Sequence, residues 1–250
     1  MEKSFRQRLI AHEELLGTLL SLPSPEIAEL LAKSGFDWLF IDMEHSTIAL
    51  KDAQHMIQAA EPNAHSIIRV PGNDELWIKR CLDTGAEGII VPQVNSKKEA
   101  EQAVQYTKYP TKGKRSVGIS KAHDYGLSFN KYMKNANEEI ALIVQCEHKE
   151  AVDNLPEIVE VDGIDCIFIG PYDLSASMGK TGKFHDQEVI DSIAKIEQQC
   201  KAKNIPLGIF GGTSEAVKPY KNRGFTLLTA GIDVLMISSS AKEILNKMRD

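Results

Sequence analysis

The chain has no low-complexity segment, no internal repeat and no Pro/Gly/Ser-rich or charge-run linker in its 250 residues. Lack of a linker predicts one domain over 1–250, and lack of a repeat excludes a solenoid. Basic residues do not cluster and the formal net charge is −6, which argues against nucleic acid as a main partner. The N-terminus, MEKSFRQRLIAHEELLG, lacks the apolar core of a signal peptide, and no run approaches the ~18 apolar residues of a membrane span. Together these absences predict a cytoplasmic protein with no membrane partner. Cysteine is sparse: Cys81, Cys146, Cys166 and Cys200 are scattered, with no CxxC spacing. They are expected to be buried or incidental thiols in a reducing compartment.

What is present is a regular alternation. At 42% hydrophobic and 26% charged, the chain has the size and composition of one closed α/β barrel. Strand-like runs lie at 14–22, 37–41, 65–68, 88–92, 140–146, 165–169, 206–210 and 225–230. Helical periodicity fills the intervals at 25–35, near 50–60 and 74–84, and at 96–109, 149–160, 186–203, 213–223 and about 233–248. Gly35 and Gly85 supply stops, and Ser96 with Glu99 predicts a capping box. One stretch, 110–137, breaks the rhythm and is too long for an ordinary αβ loop. It is expected to be a lid, an edge of the site or an interface.

Strands that alternate with helices lie parallel, so their C-terminal ends open on one face. Six of the predicted strands run into side chains or glycines that a site can use. DWLFI is followed by Asp42, Glu44 and His45, and HSII by Arg69; GIIVP leads to Gln93 and Asn95. IALIVQC leads to Glu147, CIFIG to Asp173, and PLGIF to Gly211 and Gly212. This convergence is the layout of an active site on a (β/α)₈ barrel.

Glu147 and Asp173 lie one βα unit apart on adjacent strand ends. Strand axes about 4.8 Å apart let two such carboxylates reach one ion. Without Cys or clustered His, such a pair favours a hard divalent cation, Mg²⁺ or Mn²⁺, with open positions for water or substrate. Gly170-Pro171 ends the sixth strand and leaves amides near Tyr172 and Asp173 exposed to an anionic group. His45, beside two acids at a strand end, suits a general base. His148 follows Glu147 as a potential supporting group, and His123 in the long segment has no assigned role. Arg69 ends a buried strand, so it either pairs with an internal carboxylate or receives an anionic ligand. Asp83 is either an ordinary helix-end acid or a partner for His45. Gly211-Gly212 offers a weaker, rival phosphate signal. None of the strand ends carries a lysine, which argues against Schiff-base catalysis.

Taken together, DWLFIDMEH, IIRVPG, LDTGAEGIIVPQV, QCEHKEAVDNL and FIGPYDLSASMG closely resemble the HpcH/HpaI aldolase family, over about residues 15–245. The resemblance implies a class II, metal-dependent pyruvate aldolase that cleaves a 4-hydroxy-2-oxo acid to pyruvate and an aldehyde. Examples of its substrates are 2-keto-3-deoxyglucarate and 4-hydroxy-2-oxoheptanedioate. The implied fold is a (β/α)₈ barrel whose C-terminal helix is exchanged between subunits, in a hexamer built as a trimer of dimers. Carried over by motif, Glu147 and Asp173 would be ligands to Mg²⁺ or Mn²⁺, with Co²⁺ also suitable. Arg69 would hold the keto-acid oxygens, with Gln145, Gly170, Pro171, Tyr172 and Asp173 contacting substrate. His45 would be the base, paired with Asp83, and Asp42 and Glu44 would support it. An oxaloacetate decarboxylase or related metal-enolate lyase would use the same set. Three places depart from the family pattern. Tyr172 stands where a small residue is usual, SVGISKAHDYG lacks an Arg near Lys121, and IFGGTSEAV replaces small apolar residues. All three bear on the aldehyde end.

Overall fold

Eight short apolar runs become strands buried on nearly every residue, the pattern expected where helices cover one face of a parallel sheet and a core fills the other. They are β1 (Leu15–Leu20), β2 (Trp38–Asp42), β3 (His65–Arg69), β4 (Gly88–Val91), β5 (Ala141–Cys146), β6 (Cys166–Ile169), β7 (Leu207–Gly211) and β8 (Leu227–Ile232). In this computed structural model they pair in parallel, in chain order, and β8 returns to β1 to close the barrel. The expected (β/α)₈ barrel is therefore present. The structure describes residues 3–249; Met1, Glu2 and Asp250, the ends of the expected 1–250 domain, lie outside the described residues.

The eight expected helices are α2 (Pro25–Lys33), α3 (Leu50–Ala60), α4 (Glu75–Asp83), α5 (Lys97–Thr107), α7 (Lys149–Ile158), α9 (Gln187–Ala202), α10 (Ser214–Lys221) and α11 (Asp233–Arg249). Three more were not foreseen: the short α1 (Phe5–Ile10) and α8 (Pro171–Ser177), and α6 (Phe129–Glu139), which is as long as α3. Helix α1 is too brief for periodicity to reveal, yet Ser4 and Gln7 complete a capping box at its start. It plugs the N-terminal end of the barrel, where Phe5 and Leu9 join Trp38 and Leu15 in the inner core. No helix among the described residues is long and apolar enough to cross a membrane.

The Ser96–Glu99 capping box forms only by half. Ser96 Oγ accepts from the Glu99 N–H, but the Glu99 carboxylate accepts from the N–H of Asn95 rather than of Ser96.

Period-two alternation sorts the interior into layers. Inward residues on β2 are Trp38, Phe40 and Asp42; on β3, Ile67 and Arg69; on β5, Ala141, Ile143 and Gln145; on β6, Cys166 and Phe168, with Gly170 next in line. Aromatic and aliphatic side chains therefore fill the lower layers, and polar ones top them. Close packing leaves no room for Cβ atoms at two points: one on Gly17 would lie 2.4 Å from Trp38 Nε1, and one on Gly208 2.3 Å from Phe168 Cδ2.

Segment 110–137 is more ordered than its composition predicts. It contains a short 3₁₀ segment (Lys121–Gly126) and most of α6. Arg115 anchors it: the buried guanidinium lies over Tyr109, with Cζ 4.6 Å from the ring centre, and donates to Asp83 Oδ1 at 2.7 Å. His123 is buried as well, its Nδ1 accepting from the Gly126 N–H at 3.1 Å and its Nε2 lying 2.8 Å from the Gly118 carbonyl. The outer edge keeps Val117, Ile119, Tyr125 and Leu127 exposed.

Candidate active site

The polar layer closes the barrel core at the C-terminal ends of the strands. Asp42 and Arg69 are paired in register on β2 and β3, so they face each other by strand geometry alone. The guanidinium grips the carboxylate with both arms, Nε to Oδ1 at 2.9 Å and Nη2 to Oδ2 at 2.8 Å. Of the two alternatives for Arg69, the internal carboxylate is thus realised. Nη1 carries no hydrogen bond to any described residue, so donors remain for an anionic ligand. Burial opposes the Arg69 charge. The bonds from Asp42 and the fields of Asp42, Glu44 and Glu147 outweigh it and raise the guanidinium above its ordinary value.

Asp42 also shapes the loop that follows it. Its Oδ1 accepts from the N–H groups of Glu44 at 3.0 Å and His45 at 3.3 Å, an Asx-type turn. Its carbonyl accepts from Ser46 Oγ. The turn sends Glu44 inward, 3.2 Å from Arg69 Nε, and leaves the His45 imidazole 64% exposed. His45 Nε2 lies 3.6 Å from Glu44 Oε2. Burial raises the Glu44 carboxyl, Arg69 opposes the shift, and the charges of Asp42 and Asp173 add to it.

Across the mouth, Glu147 is buried at the end of β5. Its Oε1 accepts from the Gln93 N–H at 3.0 Å and its Oε2 from Gln145 Nε2. Burial pushes the Glu147 carboxyl up to about 7; the Gln93 bond works against this, while Glu44 and Asp173 reinforce it. Gln93 holds a left-handed φ of +53° to aim that N–H. Such a conformation is uncommon in a residue other than glycine, and here it is what directs the N–H at the carboxylate. The sequence showed Gln93 only as a strand-end residue, and no side-chain pattern reports a backbone donor. Asp173 sits in the first turn of α8 and lines the same cavity as Arg69, Gln145, Gly170, Pro171 and Tyr172. That cavity has a volume of about 350 Å³.

Two expectations are corrected. Asp83 does not pair with His45 within the chain. It is the last residue of α4, at the N-terminal end of the barrel, and its carboxylate is bonded to Arg115. A helix that follows a strand carries its last residue back to the opposite face, so barrel order alone does not bring Asp83 to the mouth. His148 does not support Glu147; it caps α7, its Nδ1 accepting from the Glu150 N–H at 3.2 Å.

The oxygens fit a hard cation. Gln145 Oε1 is buried with no hydrogen-bond partner among the described residues, an unsatisfied acceptor of the kind a cation or its water shell would meet. Among the described residues, no three His, Cys, Asp or Glu side chains gather as a complete ligand set. Glu147 and Asp173, whose charges act on each other, are the two carboxylates that could hold an ion, with several positions left to water or substrate.

A family model described as HpcH/HpaI aldolase/citrate lyase matches residues 16–240. The chain belongs to this family of carbon–carbon lyases. It is 38% identical over 232 residues to 2-dehydro-3,6-dideoxy-6-sulfogluconate aldolase of Pseudomonas putida, covering 92% of this chain and 91% of that protein. It is 36% identical to 4-hydroxy-2-oxo-heptane-1,7-dioate aldolase of Escherichia coli, covering 98% of this chain and 94% of that one. The fold superposes with a TM-score of 0.94 on the crystal structure of an HpcH/HpaI aldolase/citrate lyase family protein from Burkholderia cenocepacia J2315. The two are 33% identical, and the match covers 98% of each chain.

In this family member Gly170 has a spatial role. A Cβ there would lie 2.7 Å from Glu147 Oε2 and 2.9 Å from Gln145 Nε2. Gly170→Ala should displace the Glu147 carboxylate and weaken cation binding by roughly tenfold or more, the scale of disturbing groups that orient a ligand. Calorimetric Mn²⁺ titration measures it; unchanged affinity would show that the carboxylate relaxes without loss.

Proposed function

We propose that the protein is a divalent-cation-dependent aldolase that reversibly cleaves a 4-hydroxy-2-oxo acid to pyruvate and an aldehyde. The observation that carries this reading is a buried Arg69, with Nε and Nη2 on Asp42, in one cavity with Asp173 and an exposed imidazole and within the field of Glu147. The aldolase names of the two relatives support it. Glu147 and Asp173 would hold Mg²⁺, Mn²⁺ or Co²⁺. When bound, such a cation polarises the oxygens of a 2-oxo acid. Arg69, fixed by Asp42, directs its free N–H groups at the keto oxygen, where negative charge grows as the carbon–carbon bond breaks. Orphan amides at the start of α8, around Tyr172 and Asp173, receive the carboxylate. His45 takes the proton from the 4-hydroxyl as the aldehyde leaves. An oxaloacetate decarboxylase has no such hydroxyl to deprotonate, so the exposed imidazole favours the aldolase. Pyruvate release from a panel of 4-hydroxy-2-oxo acids, with and without EDTA, tests the reading. Carbon dioxide from oxaloacetate with no retro-aldol product would replace it by the decarboxylase.

The Arg69 geometry makes a graded prediction. Arg69→Lys should keep a charge but lose the two-armed grip on Asp42, and Arg69→Ala should lose both. Charge-assisted bonds contribute about 1.5–3 kcal/mol each, so kcat/KM should fall roughly tenfold or more for Lys and further for Ala. Equal activity in all three proteins would assign Arg69 to structure alone.

Assembly is proposed on the outer surface. Along α11 only Asp233 is buried, while Ile237, Ile244, Leu245 and Met248 stand exposed, as do Ile119 and Leu127 of the long segment. Apolar surface on this scale suits exchange of the last helix in a hexamer, a trimer of dimers, with 110–137 near a subunit boundary. Light scattering at micromolar concentration checks it, and a monomer contradicts it. The four cysteines are all buried as free thiols, which suits a reducing, cytoplasmic setting.

A further inference from the structure

The mouth is divided by polarity. One half is the charged set already described. The other, continuous with it, is formed by Leu19, Phe210, Ile232 and Val234, with Tyr172 at its edge against Phe184 (ring centres 6.2 Å apart). Among the described residues Arg69 is the one guanidinium or ammonium lining the cavity; Asp42 and Glu44 hold its Nε and Nη2, and its remaining donors belong to the keto-acid half. Lysines toward the rim are also engaged: Lys149 with Glu188 at 3.0 Å, and Lys180 with Asp186 and with Glu188 at 2.9 Å. The charge beside the apolar wall in sequence is the Asp233 carboxylate, between Ile232 and Val234. An aldehyde with an anionic tail would lay that tail mostly on hydrocarbon, beside the Asp233 carboxylate, with the Ser21 hydroxyl already donating to Asp233 Oδ1 at 2.7 Å.

We infer that the acceptor aldehyde is uncharged and apolar, an aliphatic or aromatic aldehyde whose tail packs on Leu19, Phe210, Ile232 and Val234. This rests on the aldolase reading above and departs from the acidic tails in the relatives' names, a heptane-1,7-dioate and a sulfogluconate. In the condensation direction, C3 of the pyruvate enolate bonds to the aldehyde carbon. The carbonyl π pair passes to the aldehyde oxygen, which takes a proton to become the 4-hydroxyl. The tail beyond that carbon lies outside the charged half, so only the apolar wall reads it.

The test is a matched pair of four-carbon aldehydes, butanal and succinic semialdehyde, each condensed with pyruvate by the full-length protein with Mn²⁺. Solvent deuterium exchange into the pyruvate methyl group, which needs no aldehyde, is followed in the same samples. The kcat/KM for butanal should exceed that for succinic semialdehyde by at least about tenfold, the discrimination expected of an apolar pocket against a charged tail. In Val234→Lys, which sets a cation in that wall, the butanal-to-semialdehyde ratio should fall by about tenfold or more. Exchange with succinic semialdehyde equal or preferred would overturn the inference and leave the aldolase standing. An unmoved ratio in Val234→Lys would overturn the placement of the tail. No exchange and no condensation would remove the aldolase reading and this inference with it.

Discussion

Glu147→Gln should lower cation-supported carbon–carbon cleavage by roughly 10³-fold, the scale of losing an electrostatic stabiliser at the reacting centre. The same change should leave the barrel folded. An amide at this position can still accept from the Gln93 N–H, and it removes a carboxyl that burial, Glu44 and Asp173 all disfavour as an anion. A second consequence follows from the acid's position near 7. The raised value means that the fold favours the protonated acid, so its contribution to stability is present at low pH and is lost as pH rises through about 7. A cation needs the carboxylate and must displace that proton. Apparent Mn²⁺ affinity should therefore fall about tenfold per unit of pH below 7 and level off above it. Titrations at pH 6, 7 and 8 read this directly. Affinity independent of pH, or full Mn²⁺-supported activity of Glu147→Gln, would place the cation elsewhere, and full activity of metal-stripped protein would remove it from the reaction.

Much of this site was legible because period-two alternation and strand-end position are properties of sequence. Asp42, Arg69, Gln145 and Gly170 fall on inward positions of successive strands, and the register that makes Asp42 face Arg69 follows once the barrel closes. Three kinds of feature were hidden. The Gln93 donor is backbone, enabled by φ +53°, and no residue type encodes it. The Arg115–Asp83 pair joins a segment without periodicity to the far end of α4. It is settled by burial between Tyr109 and Tyr132, which spacing does not report. The capping role of His148 illustrates a third limit. A polar residue just after a strand serves either the site above it or the helix after it, and the two positions coincide in sequence. Of the three sequence departures, Tyr172 and Phe210 of IFGGTSEAV line the mouth, and no residue of SVGISKAHDYG is among its lining residues.

His45→Ala should remove most aldol cleavage, a loss of about 10²–10⁴-fold for a general acid–base group. The substitution is a clean one. The bond that orders the loop runs from the His45 backbone N–H to Asp42 Oδ1, and alanine keeps that N–H. Glu44 and Arg69 should accordingly stay in place, and pyruvate should still bind through the Arg69, Glu147 and Asp173 half of the mouth. Exchange of pyruvate methyl protons should fall less than cleavage, because water can reach an opening whose imidazole was already 64% exposed. The carboxylate nearest the ring is Glu44, Oε2 to Nε2 at 3.6 Å, so Glu44 rather than Asp83 is the acid that steadies an imidazolium. Glu44→Gln should then cost about tenfold or less in cleavage, the modest value of one partly exposed ion pair. It should also shift the acid limb of the rate profile, whereas Asp83→Asn in the same protomer should act through the stability of segment 110–137. If His45→Ala cleaves at the unmodified rate, the base lies elsewhere, and the half-buried, upward-shifted carboxyl of Glu44 becomes the better candidate.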